Sequence, residues 1–138
     1  MKNFFFFILI IFNVIGCKNE RQEAEKTNEN FNVFIEKFSS DSLFQISRVN
    51  FPLKVKELDD DYESVEKKIN KNEYRKLDLR YNDSFAKRDL SKYTQNIKLE
   101  KNKAIIEIRG IDNGIMTDIY FEKHNGKWNL ISWDDSST

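Results

Sequence analysis

Cys17 is the residue with the most definite chemistry in this chain. Val14, Ile15 and Gly16 precede it, and Lys2 and the apolar residues 4–12 come before them. A thiol directly behind a small residue, at the end of a short apolar run, is placed to accept a diacylglyceryl group once the chain is cut in front of it. The apolar stretch over 4–15, interrupted at Asn13, falls short of the roughly 20 residues a membrane-spanning helix needs. It therefore reads as a cleaved signal sequence. The expectation is a signal peptide over 1–16, a lipidated Cys17, and attachment to a membrane through that lipid. An ordinary secretory signal that happens to contain a cysteine is the plain alternative.

Cys17 is the only cysteine and His124 the only histidine. With the thiol lipidated, the mature chain has no disulfide, no cysteine nucleophile and few ways to build a zinc site. Any Ser/His/Asp triad would have to use His124. That residue stands just before Asn125-Gly126, a hairpin-turn signal, so it is expected at an exposed tip. Lys and Arg number 23 against 23 Asp and Glu, a formal net charge of +0, which argues against nucleic acid as the partner. Asp59-Asp60-Asp61 lacks the glycine and glutamate of a calcium loop and reads as a solvated turn. No metal and no cofactor are expected.

The elements that would hold these residues follow from periodicity. Residues 17–30 comprise Cys17 and a charged segment whose only apolar member is Ala24, expected to be a disordered tether spanning roughly 20 Å. Its acidic members Glu20, Glu23 and Glu25 also suit a surface-export signal, so the domain could face the periplasm from the outer membrane or lie on the cell surface. Phe31, Phe34, Ile35 and Phe38 fall on one helical face and predict a helix from about 28–30 to 39–40. Asp41 then caps a second short helical turn. Asp41-Ser42-Leu43 and Asn82-Asp83-Ser84 match glycosylation triplets, but a cap and chance are the simpler readings.

Val49, Phe51, Leu53 and Val55 alternate with polar residues and predict a strand, which Pro52 would place at a sheet edge or a bulge. Residues 62–69 fit strand or helix, and Asn70 with Glu73 predicts a short helix through Tyr74 and Leu77. Residues 81–91 read as irregular. Four alternating runs follow, around Ile97, Ile106, Ile119 and Trp128, separated by turn residues: an antiparallel meander. Trp128 and Trp133 have opposite parity on the last run, so one should be buried and the other more exposed. The fold class is α+β, with N-terminal helices on a curved antiparallel sheet in a single domain over 31–138.

Phe51-Pro52-Leu53, the run from Arg109 through Gly114 to Ile115, the hairpin from Phe121 to Leu130, and Asp134-Asp135-Ser136-Ser137 resemble an uncharacterised family of Bacteroidota-type lipoproteins, a domain of unknown function numbered 4348. The resemblance covers about 31–137. It implies a nuclear transport factor 2-like, or cystatin-like, cone, in which an apolar pocket on the concave sheet face is common. In catalytic relatives of that fold, an Asp or His inside the cone moves a proton while a Tyr polarises a carbonyl.

Whether Arg109, Asp118 and Tyr120 could do this depends on strand register. If Ile106, Ile108, Ile119 and Phe121 face the cone, those three point away from it; a one-residue shift would bring them in. A surface ion pair between Arg109 and Asp118 is the simpler reading. The functional expectation is a non-enzymatic envelope lipoprotein that binds a small apolar ligand or an envelope protein. The alternatives are a cofactor-free acid-base enzyme using a pocket carboxylate and a tyrosine, and an accessory subunit of an envelope complex.

Overall fold

A computed structural model describes residues 28–138. The signal-peptide and Cys17 expectations, and most of the tether, lie outside the described residues. Helix α1 (Phe31–Ser40) starts where Asn30 lends its side-chain oxygen to the N–H groups of Asn32 and Val33, and it buries Phe31, Phe34, Ile35 and Phe38 on one face. Asp41 caps α2 (Ser42–Ser47) in the same way, through the N–H groups of Leu43 and Phe44. Asn82 likewise accepts from Ser84 to cap a 3-10 turn over Asp83–Lys87. Both triplets noted above thus contain helix caps.

The strands are β1 (Val49–Leu58), β2 (Ser64–Ile69), β3 (Tyr93–Leu99), β4 (Lys103–Gly110), β5 (Met116–His124) and β6 (Lys127–Asp135). They form one sheet in the order β2-β1-β6-β5-β4-β3, antiparallel throughout except between β1 and β6. β3 to β6 are the expected meander. Asn125 and Gly126 close its last hairpin with φ values of 50° and 77°, the positive pair a two-residue turn demands.

β1 takes the second of its two expected settings, a bulge, because it lies inside the sheet. β2 pairs only from Leu53 onward, and the register with β6 slips between Val49 and Lys54. The missing N–H of Pro52 falls in that unregistered stretch, so a bulge rather than an edge accommodates it.

The helix expected after Asn70 does not form. Glu73 does accept from the Asn70 N–H at 3.0 Å, as a reciprocal cap would, but only a turn follows. Tertiary bonds draw out the next residues: Leu77 donates to Gln45 Oε1 and Leu79 to Ser39 Oγ.

Trp128 is buried and Trp133 is the more exposed of the two, as expected, but they do not face opposite ways, for one local reason. Phe121 is opposite Leu130 whereas Tyr120 is opposite Ser132, so Ile131 is an extra residue in β6. A bulge resets the alternation behind it. Trp133 therefore pairs with Ile119 and packs against the core on the same face as Trp128, while Ser132 turns outward.

Both helices pack on one face of the sheet. Phe31, Phe34 and Phe38 set their rings edge-on to Phe121, or within 6.0 Å of one another, and Phe31 meets Trp128 at 4.9 Å. Residues 28–30, assigned by composition to the tether, belong to the domain. Glu29 receives both Arg48 Nη groups at 3.0 and 3.2 Å and the Trp128 N–H at 2.8 Å, and its carbonyl receives the Trp128 indole N–H. Among the described residues no helix is long and apolar enough to cross a membrane.

Candidate functional site

Arg109, Asp118 and Tyr120 come together, on the face of the sheet away from the helices. Ile106 and Ile119 pair in register and are buried on the helix side, so their strand neighbours turn outward. This is the arrangement in which Asp118 and Tyr120 do not enter the interior. One cross-sheet row on the outer face runs Asn96, Glu107, Asp118, Asp134, Lys56, Glu66; the next runs Lys98, Ile105, Tyr120, Ser132, Lys54, Lys68.

Arg109 holds the first row together. Its Nη1 donates to the carbonyls of Ile108 and Thr117 at 3.0 Å, and its Nη2 lies 2.6 Å from Asp118 Oδ1 and 3.3 Å from Glu107 Oε1. The Asp118 contact is an ion contact without a directed hydrogen bond, since that oxygen is buried and no N–H points along it. Glu107 also accepts from Lys98 and Asn96, and these bonds hold its carboxyl below the usual range. Burial, then the nearby charges of Asp134 and Asp118, push the Tyr120 phenol up, so it stays a proton donor, 3.4 Å from Asp134 Oδ2. A carboxylate engaged by a guanidinium beside a firmly protonated phenol suits recognition better than proton abstraction.

The helix-facing side carries no such set. It is filled by the aromatic rings of α1, β5 and β6, and its fully buried polar side chains are Ser39 and Gln45. Gln45 is fully satisfied: Nε2 donates to the carbonyls of Phe38 and Leu77 at 2.6 and 2.8 Å, and Oε1 accepts from the Tyr74 hydroxyl at 3.0 Å and the Leu77 N–H at 2.8 Å. Burial raises the Tyr74 phenol well above its ordinary value. His124 lies at the hairpin tip, exposed and 3.2 Å from Glu122. Among the described residues no group of His, Cys, Asp and Glu could hold a metal ion.

Two shallow grooves mark the outer face. One, of about 370 Å³, has Ile105, Tyr120 and Ile131 as its floor and Lys98, Glu100, Lys103 and Glu122 around it. The other, of about 430 Å³, lies over Lys54, Lys56, Lys68 and Ser132. Ile131, which the sequence offered beside an exposed Trp as a candidate partner surface, joins this groove through the bulge instead, without Trp133. Sequence reading missed Gln45 because a buried amide inside a helical turn has no pattern of its own.

The sequence pattern of a family described as a domain of unknown function, DUF4348, matches residues 4–135. No curated protein matches the chain. Among solved structures it is similar to an NTF2-like protein from Bacteroides fragilis NCTC 9343, with 26% identity, a TM-score of 0.59, and coverage of 80% of this chain and 48% of that one. The chain thus spans about half the length of that relative. A cystatin-like protein from Bacteroides caccae ATCC 43185 matches with 24% identity, a TM-score of 0.54, and coverage of 80% and 78%. A protein from Bacteroides uniformis ATCC 8492 matches with 24% identity, a TM-score of 0.55, and coverage of 77% and 76%. The α+β architecture of two helices on one face of a six-stranded sheet is accordingly the nuclear transport factor 2-like fold, and the chain belongs to the DUF4348 family.

Proposed function

We propose that this protein is a lipid-anchored binding module of the cell envelope that engages a protein partner through the helix-free face of its sheet. The carrying observation is where the polar and apolar groups lie. The interior, where an acid-base enzyme of this fold would work, is packed with Phe31, Phe34, Phe38, Phe121 and Trp128. The outer face offers an apolar floor at Ile105, Tyr120 and Ile131, ringed by charges of both signs. That is the composition of a recognition surface: an apolar centre that excludes water and a polar rim that sets register. The groove's volume lies within the range of small-molecule sites, so an apolar ligand is the second reading.

Lipid anchoring is supported by the sequence around Cys17, and the family match beginning at residue 4 includes that segment. Two acyl chains suffice for stable attachment, at about 0.8 kcal/mol per buried methylene. Wild-type protein should stay with membranes through salt and carbonate washes, and Cys17→Ser should appear as unprocessed or soluble material. Mass spectrometry finding an unmodified mature Cys17 would refute the anchor.

For the binding face, a photo-crosslinker at Ile105 should capture one defined envelope protein in the native host, and Ile131→Asp should reduce that capture at least tenfold. His124→Ala and Asp118→Asn should leave it within about twofold. If a screened compound were turned over, and Asp118→Asn cut turnover by about a hundredfold while binding persisted, the acid-base alternative would replace this reading.

A further inference from the structure

The formal net charge of +0 conceals a domain that is electrically polarised along its strands. At one end of the sheet lie the β3–β4 turn at 100–102 and the β5–β6 turn at Asn125-Gly126, joined by the Lys123 N–H donating to the Asn102 carbonyl at 2.8 Å. Exposed Lys101, Lys103 and Lys127 gather there with half-buried Lys123, against Glu100 and Glu122. At the far end lie the 59–63 turn after β1, the 111–115 turn between β4 and β5, and the end of β6. Asp59, Asp60, Asp61, Glu63, Asp112 and Asp135 outnumber the cations there, which include Lys92, paired with Asp112, and Arg88, stacked on Phe85 beside Tyr93 at the start of β3.

The chain enters the domain at the basic end. Lys123 Nζ donates to Asn28 Oδ1 at 2.9 Å, and the Glu29 N–H donates to the Gly126 carbonyl at 2.9 Å. We propose that this hairpin end docks on the anionic phospholipid headgroups of the membrane that holds Cys17, with the acidic end directed away. The inference rests on the lipid-anchor reading.

Two physical arguments support it. Residues 18–27 separate Cys17 from the pinned Asn28, and the chain between those two residues reaches at most roughly 40 Å. β5 has 9 residues, so the sheet is itself roughly 30 Å long. The acidic end could meet the membrane only if that segment stretched along the whole domain, well beyond its relaxed span of roughly 20 Å. The basic end needs no such stretch. Each lysine brought near an anionic leaflet strengthens association about fivefold, and like charge repels the far end. Lys101 and Lys127 make no ion pair among the described residues, which leaves them available to headgroup phosphates.

The test uses the lipidated full-length protein in vesicles of phosphatidylcholine, alone or mixed with phosphatidylglycerol, followed by hydrogen exchange. Amides at 100–103 and 123–127 should exchange several-fold more slowly on the anionic vesicles. That protection should vanish at high salt and in Lys101→Gln/Lys127→Gln, while 59–63 exchanges alike on both. Equal exchange of the basic turns on the two vesicle types, or protection of 59–63, overturns the proposal. Flotation with phosphatidylcholine alone reports the anchor by itself. Protein that fails to float defeats the anchor and the docking together; protein that floats without charge-dependent protection defeats the docking only.

Discussion

Phe34→Ala and Phe121→Ala are each expected to lower the unfolding free energy by about 3 to 5 kcal/mol. Phe34 and Phe121 are 1% exposed, and their rings meet edge-on at 5.7 Å, with Phe38 against both. Removing either ring opens a hole where α1 meets the centre of the sheet, and the rings around it cannot collapse without leaving favourable tilted and edge-on packing. A domain of this size holds about 5 to 15 kcal/mol in total. The melting point should therefore fall by roughly 15 °C or more. Val33→Ala, on the exposed side of the same helix, serves as the control and should shift it by at most a degree or two. If both phenylalanine variants melted with wild type, the helix-on-sheet core would be wrong.

That core was legible because its signal is periodic. Phe31, Phe34, Ile35 and Phe38 share a face whatever lies opposite, and Asn30 and Asp41 announce their helices locally. The meander was legible for the same reason, its turns being written in Asn125-Gly126 and Lys101-Asn102. What sequence could not supply was anything decided by a distant residue. Whether Pro52 sat at an edge depended on where β2 and β6 take up their registers. Which face Trp133 took depended on one extra residue, Ile131, opposite no partner in β5. The turn at Asn70 carried half of a capping signal, and tertiary bonds from Gln45 and Ser39 prevailed over it.

The candidate site shows the same division. Arg109, Asp118 and Tyr120 could be named from their types and strand spacing, and the pairing of Ile106 with Ile119 was the missing fact that turned them outward. Once they face outward, their chemistry changes meaning. In a closed apolar cavity, Asp118 and Tyr120 would be candidates for proton transfer. On an open face, Asp118 is held by Arg109 at 2.6 Å, and Tyr120 joins Ile105 and Ile131 in the floor of a shallow groove. The half-buried apolar floor and its rim of mixed charge are what support the proposed binding role.

The second large effect is expected at Gln45, the buried amide that ties both helices to the irregular segment before β3. Gln45→Met keeps the length of the side chain but deletes every bond it makes. The carbonyls of Phe38 and Leu77, the N–H of Leu77 and the hydroxyl of Tyr74 would then lose their shared partner. Each buried group left unsatisfied costs about 1 to 3 kcal/mol, so a loss of about 3 kcal/mol or more is expected in denaturant unfolding. Gln45→Glu separates hydrogen bonding from packing. Its carboxylate can still accept from Tyr74 and Leu77 but cannot donate to the two carbonyls, whereas the protonated acid restores one of those donations. Burial favours the neutral acid, so the folded-state pKa of that glutamate lies above its unfolded value, and its stability should recover as pH falls; Gln45→Met should show no such recovery. At the alkaline end the same hub predicts a slope of the same sign, with stability falling as pH rises. Burial raises the Tyr74 phenol, so wild-type stability is held up to the ordinary tyrosine value of about 10 and declines above it, as the unfolded chain ionises and the folded one resists. Tyr74→Phe should flatten that decline while giving up about 1 kcal/mol at neutral pH for the lost bond to Gln45. Unfolding curves for Gln45→Met that overlay wild type at every pH would show that the amide is not what holds residues 74–79 to the helices.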